Sequence, residues 1–119
     1  MRAKGIIAPM IPEIEQNRAA VAELCRHYRV RRLQLFGSAA AGGFVSATSD
    51  LDFVAEFAHT HAPDYADRYY DFAEALEQLF QRPVDVVTPR ALRNPYFRAE
   101  VKRTAKIIYA QANEKKIAC

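Results

Sequence analysis

Three aspartates carry the chemistry that this sequence suggests: Asp50 and Asp52, two apart in SDLDFVAEF, and Asp85 in RPVDVVTP. Residues two apart on a strand lie on one face, about 6.6–6.8 Å apart along its axis. The first two carboxylates can therefore converge on one cation, and side by side they repel unless a cation or a proton lies between them. Such hard oxygen donors suit Mg²⁺ or Mn²⁺, and a pair of such ions clamps an in-line displacement at phosphorus. Asp85 stands among Val84, Val86 and Val87, where a lone charge is costly to bury. It either completes the carboxylate set from a neighbouring strand or sits at a strand end facing water.

Ahead of the acids runs LFGSAAAGG, residues 35–43, which holds three of the chain's four glycines. Gly37 lets the backbone come close to a ligand. Ser38 offers a hydroxyl and, with a helix starting after it, a backbone N–H at a helix N-terminus, where phosphate binds. Ala39, Ala40 and Ala41 are good helix formers. A strand, a Gly-Ser turn, a helix start and a returning strand with Asp-x-Asp would bring a triphosphate and its metal ions together.

The elements that must hold these residues follow from hydrophobic spacing. A helix is expected from about Pro12 to Tyr28, with Ile11, Ile14, Val21, Leu24, Cys25 and Tyr28 on one face. Val30 to Gly37 reads as a strand, and a short helix or turn follows Ser38. Asp50 to Phe57 is a second strand, with Leu51, Phe53, Ala55 and Phe57 on one side and Asp50, Asp52, Val54 and Glu56 on the other. Asp64 is placed to cap a helix whose stripe is Tyr65, Tyr69, Phe72, Leu76 and Phe80, with Tyr70 off it. Arg82 to Pro89 makes a third strand. ALRNPYFRAEVKRTAKIIYAQA reads as a helix with Asn94 as cap, Pro95 first, an apolar stripe of Phe97, Val101, Ala105 and Ile108, and a basic stripe of Arg98, Lys102 and Lys106. The expected fold class is α/β (α+β): a single domain over residues 1–119 with a short mixed β-sheet flanked by helices.

The chain has 119 residues, half of them hydrophobic, and a net charge of +3. The charge is unevenly spread. Residues 1–36 carry seven basic and three acidic groups, residues 37–85 two and nine, and residues 86–119 eight and two. An acidic centre can hold cations, and basic flanks can meet phosphate or an acidic partner. Cys25 and Cys119 have neither metal spacing nor a disulfide framework, which fits a reduced, cytoplasmic setting. No stretch approaches a membrane span, and the N-terminal apolar patch is too short for a signal peptide. His59 and His61 are two apart in a loop. They read as solvated more readily than as metal ligands, and direct nucleic-acid binding has no aromatic-interleaved basic module to support it.

LFGSAAAGG followed by SDLDFVAEF resembles the signature of the minimal nucleotidyltransferase family in the DNA polymerase β-like superfamily, and LCRHYRVRRLQLFGS, RPVDVVTP and LRNPYFRAEVKRTAKIIYA resemble the flanking parts of small bacterial members. The resemblance implies a polymerase β-like nucleotidyltransferase fold. It also implies that Gly37 and Ser38 hold the β- and γ-phosphates of ATP, and that Asp50 and Asp52 bind two Mg²⁺ ions. Asp85 would complete the catalytic metal's shell and help deprotonate an attacking hydroxyl. Members of this size are commonly antitoxins of a HEPN-domain ribonuclease toxin, some of which transfer AMP from ATP to a toxin tyrosine. The chain departs from the family at one point: the usual Gly-Ser-Arg-Ala-Arg-Gly loop here has alanine at 39 and 41. A non-catalytic antitoxin that masks its toxin by binding alone is therefore the alternative.

Overall fold

The computed structural model describes residues 12–37, 40 and 50–111. Ser38, Ala39 and Ala41 to Gly43, with the short helix expected there, lie outside the described residues. So do Ile11 and Cys119.

Along the chain the elements are α1 (Pro12–Gln16), α2 (Arg18–His27), β1 (Val30–Phe36), β2 (Leu51–Phe57), α3 (Tyr65–Phe80), β3 (Val84–Val87), a 3₁₀ helix (Pro89–Arg93), α4 (Pro95–Thr104) and β4 (Lys106–Ala110). The four strands form one mixed sheet in the order β3-β2-β1-β4. β1 runs antiparallel to both β2 and β4, while β2 and β3 are parallel.

One face of the sheet carries the main core. Leu33, Leu35, Leu51, Phe53 and Phe57 pack there against Val21 and Cys25 of α2 and Phe72, Leu76 and Phe80 of α3. The stripe read along α3 thus faces the sheet, with Tyr65 and Tyr69 packed partly buried against the same core, and Tyr70 is exposed. Burial pushes the Cys25 thiol up to about 12, which leaves it an unreactive small hydrophobe. The opposite face is smaller: Phe36 and Val54 pack against Val101 of α4, with Leu92 and Phe97 alongside. This second cluster explains why Val54 is buried although it shares a face with Asp52.

The expected first helix is split at Asn17. The Asn17 side chain donates to the Glu13 carbonyl at 2.9 Å, and its backbone N–H is shared between the carbonyls of Glu13 and Ile14, each at 3.2 Å. A short polar side chain competes in this way with the helical ladder. Asp64 stands at the N-cap position of α3 without a capping bond; it reaches Arg68 Nε at 3.2 Å instead. Buried Arg68 donates to the carbonyls of Tyr28, Ala58 and His59. It thereby ties together the two turns in which Arg29 and His59 adopt positive φ. Asn94 caps α4 as expected, accepting from the amides of Tyr96 and Phe97 at 2.9 and 3.1 Å.

The last expected helix is corrected by the structure. It ends at Thr104, Ala105 is extended at its C-cap, and residues 106–110 form β4. Ile107, Ile108 and Tyr109 favour strand, and without β4 the edge of β1 would expose a row of unpaired backbone groups. Ile108 therefore enters the main core from a strand. Lys106 leaves the basic stripe, which reduces to Arg98 and Lys102.

Candidate functional site

β2 and β3 start side by side, and that places the acids. In the parallel pairing Asp52 stands directly opposite Asp85, between the pairs Leu51–Val84 and Phe53–Val86. Leu51, Phe53, Val84 and Val86 face the main core, so the alternation of the strands turns Asp52 and Asp85 to the α4 side. Asp52 is half-buried. Asp85, on an edge strand, is exposed, as is Asp50 immediately before β2. Burial raises the pKa of Asp52 above its ordinary value, and the charges of Asp85 and then Asp50 raise it further. All three carboxylates thus act on one locus. Asp50 is not fixed by the sheet, and among the described residues no group of three His, Cys, Asp or Glu side chains is drawn tightly enough to hold a metal ion. The preformed part of the acidic set is the pair Asp52–Asp85. As oxygen donors under mutual repulsion, these carboxylates fit a divalent cation.

Gly37 lies against this pair. β1 ends at Phe36, the register partner of Asp52, and Gly37 follows with φ +80°. A Cβ at position 37 would stand 2.9 Å from Asp52 Oδ2. Any side chain there would be strained in backbone and in space. The Gly37 N–H donates to Thr104 Oγ1 at 3.0 Å, and that hydroxyl donates to the Glu100 carbonyl at 3.0 Å. Ala40 N–H donates back to the Gly37 carbonyl at 3.1 Å. These two amides are therefore committed within the protein, and the contribution of Gly37 is close approach rather than a free donor.

Thr104 is the site residue that the sequence reading missed. It is buried at the end of α4, and its hydroxyl closes a link from the helix to the Gly37 turn. A threonine in a last helical turn, just before the chain turns into a strand, was the available signal. Tyr69 marks the back of the site: its hydroxyl donates to the Val86 carbonyl, and its pKa is raised by burial and then by the charge of Asp85. Glu56, on the face of Asp52, lies four residues further along β2 and 4.0 Å from Arg31. His59 and His61 are exposed and in no metal-binding group among the described residues.

A strand that ends in a glycine turn against paired aspartates is the arrangement of nucleotidyltransferases, and the sequence profile of the nucleotidyltransferase domain matches residues 18–108. The chain belongs to that family. Among its relatives is a candidate protein adenylyltransferase of Methanocaldococcus jannaschii, 32% identical over 75 residues, which are 63% of this chain and 73% of the relative. A second candidate protein adenylyltransferase of that organism is 34% identical over 70 residues, 59% of this chain and 77% of the relative. A solved minimal nucleotidyltransferase superposes with a TM-score of 0.63 at 32% identity, covering 78% of this chain and 90% of that one. A toxin–antitoxin structure determined with AMP-PNP shares the fold at 20% identity, with a TM-score of 0.62 over 85% of this chain and 79% of that one.

Proposed function

We propose that the chain transfers AMP from ATP to a protein acceptor, and that the acceptor is a tyrosine of a HEPN-domain toxin which the transfer silences. The register pairing of Asp52 with Asp85, with Gly37 packed onto Asp52, carries this reading. The names of the relatives and the toxin–antitoxin neighbours of the same fold support it.

In this reading Asp50, Asp52 and Asp85 would hold two Mg²⁺ ions. When bound, the metal supplies Lewis-acid polarisation of the phosphoryl oxygens and lowers the pKa of a coordinated hydroxyl. The protein's own part is positional. Gly37, held by Thr104, brings the turn close enough for the β- and γ-phosphates to lie beside the carboxylates. The Gly37 amide is committed within the protein, and Ser38, which lies outside the described residues, is the phosphate donor that the resemblance implies. Asp85, exposed on the edge strand, is open to an incoming tyrosine hydroxyl and accepts its proton. The new bond joins that oxygen to the α-phosphorus, and pyrophosphate leaves.

Label from α-labelled ATP should reach the toxin with the wild-type chain and not with Asp52→Asn. Transfer that survives this substitution would sink the assignment. The alanines at 39 and 41, where relatives by resemblance carry arginine, favour the second reading, an antitoxin that acts by binding alone. It predicts that Asp52→Asn still neutralises the toxin in cells.

A further inference from the structure

A second feature occupies the far end of the same two strands. A cleft of about 560 Å³ opens where β2 and β3 finish, between Phe57 and Tyr65 on one side and the 3₁₀ helix on the other. That volume is in the range of sites for small organic ligands. Arg90 and Arg93 both line it. They are three apart in a 3₁₀ helix, where residues i and i+3 eclipse each other, so the helix geometry itself aims two guanidinium groups at one place. Neither side chain has an ion pair or hydrogen bond to any described residue. His61 lines the same cleft and adds a third nitrogen donor. Two adjacent guanidiniums with no bonded partner among the described residues present a fork that matches phosphate oxygens.

The rest of the lining narrows the ligand further. Tyr65, partly buried, stands edge to face on the buried Phe57, with ring centres 5.5 Å apart, and gives the cleft an apolar wall for a flat ring. Glu56, which also faces Arg31 at 4.0 Å, places a carboxylate at the cleft, and Thr88 a hydroxyl. A carboxylate beside two arginines disfavours a ligand that is acidic along its length, such as pyrophosphate or a glutamate-rich peptide. It suits one with an anion at one end and N–H donors at the other. Glu56 is four residues beyond Asp52 on the same face, about 13 Å along the strand at 3.3 Å per residue, so a single phosphate group cannot serve both ends.

We propose that this cleft is a second ligand site, separate from the aspartates, which takes a nucleoside monophosphate: its phosphate on Arg90 and Arg93, its base along Tyr65, and its amino group toward Glu56. The test is a calorimetric titration of the full chain with AMP in EDTA. Saturable 1:1 binding is expected, unchanged in the Asp52→Asn/Asp85→Asn variant and weakened at least about tenfold in Arg90→Gln/Arg93→Gln, as expected for loss of charge-assisted bonds. The Arg90 and Arg93 side chains are exposed, so that variant should keep the wild-type circular dichroism and melting temperature. Four results would overturn the proposal. They are absence of saturable binding; binding lost with the aspartates but kept without the arginines, which would make the cleft the nucleoside end of the first site; inorganic phosphate binding as tightly as AMP; and a glutamate-rich peptide binding where AMP does not.

Discussion

The two ends of β2 and β3 carry opposite chemistry. At their start, Asp52 and Asp85 stand opposite each other in register, with Gly37 close against Asp52. At their finish, Arg90, Arg93 and His61 surround an aromatic-walled cleft. The same parallel pairing makes both. It brings equivalent ends of two strands together, so whatever residue types sit at those ends are concentrated in pairs. The acidic end builds up negative charge that only a cation or proton relieves, and Asp52 registers it as a raised pKa. Among the described residues that line the basic end, Glu56 is the one carboxylate, and it also faces Arg31 at 4.0 Å. One end suits metal ions and the other an anion, and a sheet of four short strands keeps them apart.

The largest expected effect breaks the acidic end. Asp52→Asn or Asp85→Asn should lower AMP transfer by about a thousandfold, read from labelled ATP, with an unchanged circular dichroism spectrum. EDTA should do the same to the wild type, and transfer that persists in EDTA would contradict a role for the carboxylates as metal ligands. Next is Gly37→Ala. The left-handed backbone should cost about 1–2 kcal/mol in urea unfolding, and the contact with Asp52 should abolish transfer as well. A fully stable, active alanine variant would mean that the turn is not fixed as described.

The residues behind those two predictions were legible in the sequence, because Asp-x-Asp on an alternating strand and a glycine at a strand end are local patterns. Asp85 was legible as a charge among valines, though its exact partner needed the sheet register. The helix predicted through residue 112 was not correct beyond Thr104. Its apolar spacing of Phe97, Val101, Ala105 and Ile108 fits a helix, but the open edge of β1 takes Ile107 to Tyr109 as a strand, and only the tertiary fold reveals that demand. Thr104 was missed for the same reason, since its partner Gly37 is 67 residues away. The cleft depends on a 3₁₀ helix whose period was not read.

Thr104 gives a smaller effect that sharpens the account of the acidic end. Thr104→Val leaves the Gly37 N–H without its acceptor and should cost about 1 kcal/mol. Transfer should fall roughly tenfold, and Thr104→Ser should restore it. Equal loss in the valine and serine variants would assign Thr104 to packing alone.

The smallest expected effect concerns pH. The raised pKa of Asp52 means that the folded chain holds this proton more tightly than the unfolded chain. That contribution to stability is complete below the ordinary value of 3.8 and is lost as pH rises through the folded value. In EDTA, Asp52→Asn should therefore melt above the wild type at pH 7, with the gain vanishing in acid. A gain independent of pH would place its origin elsewhere.

The central claim is that the paired aspartates move a nucleotide onto a protein. The most direct measurement follows α-labelled ATP and Mg²⁺ with the full chain and a HEPN-domain toxin, in parallel for wild type and Asp52→Asn. The account predicts label on a toxin tyrosine with the wild type and none with the variant. A complex that forms and neutralises the toxin with no label in either case would contradict it.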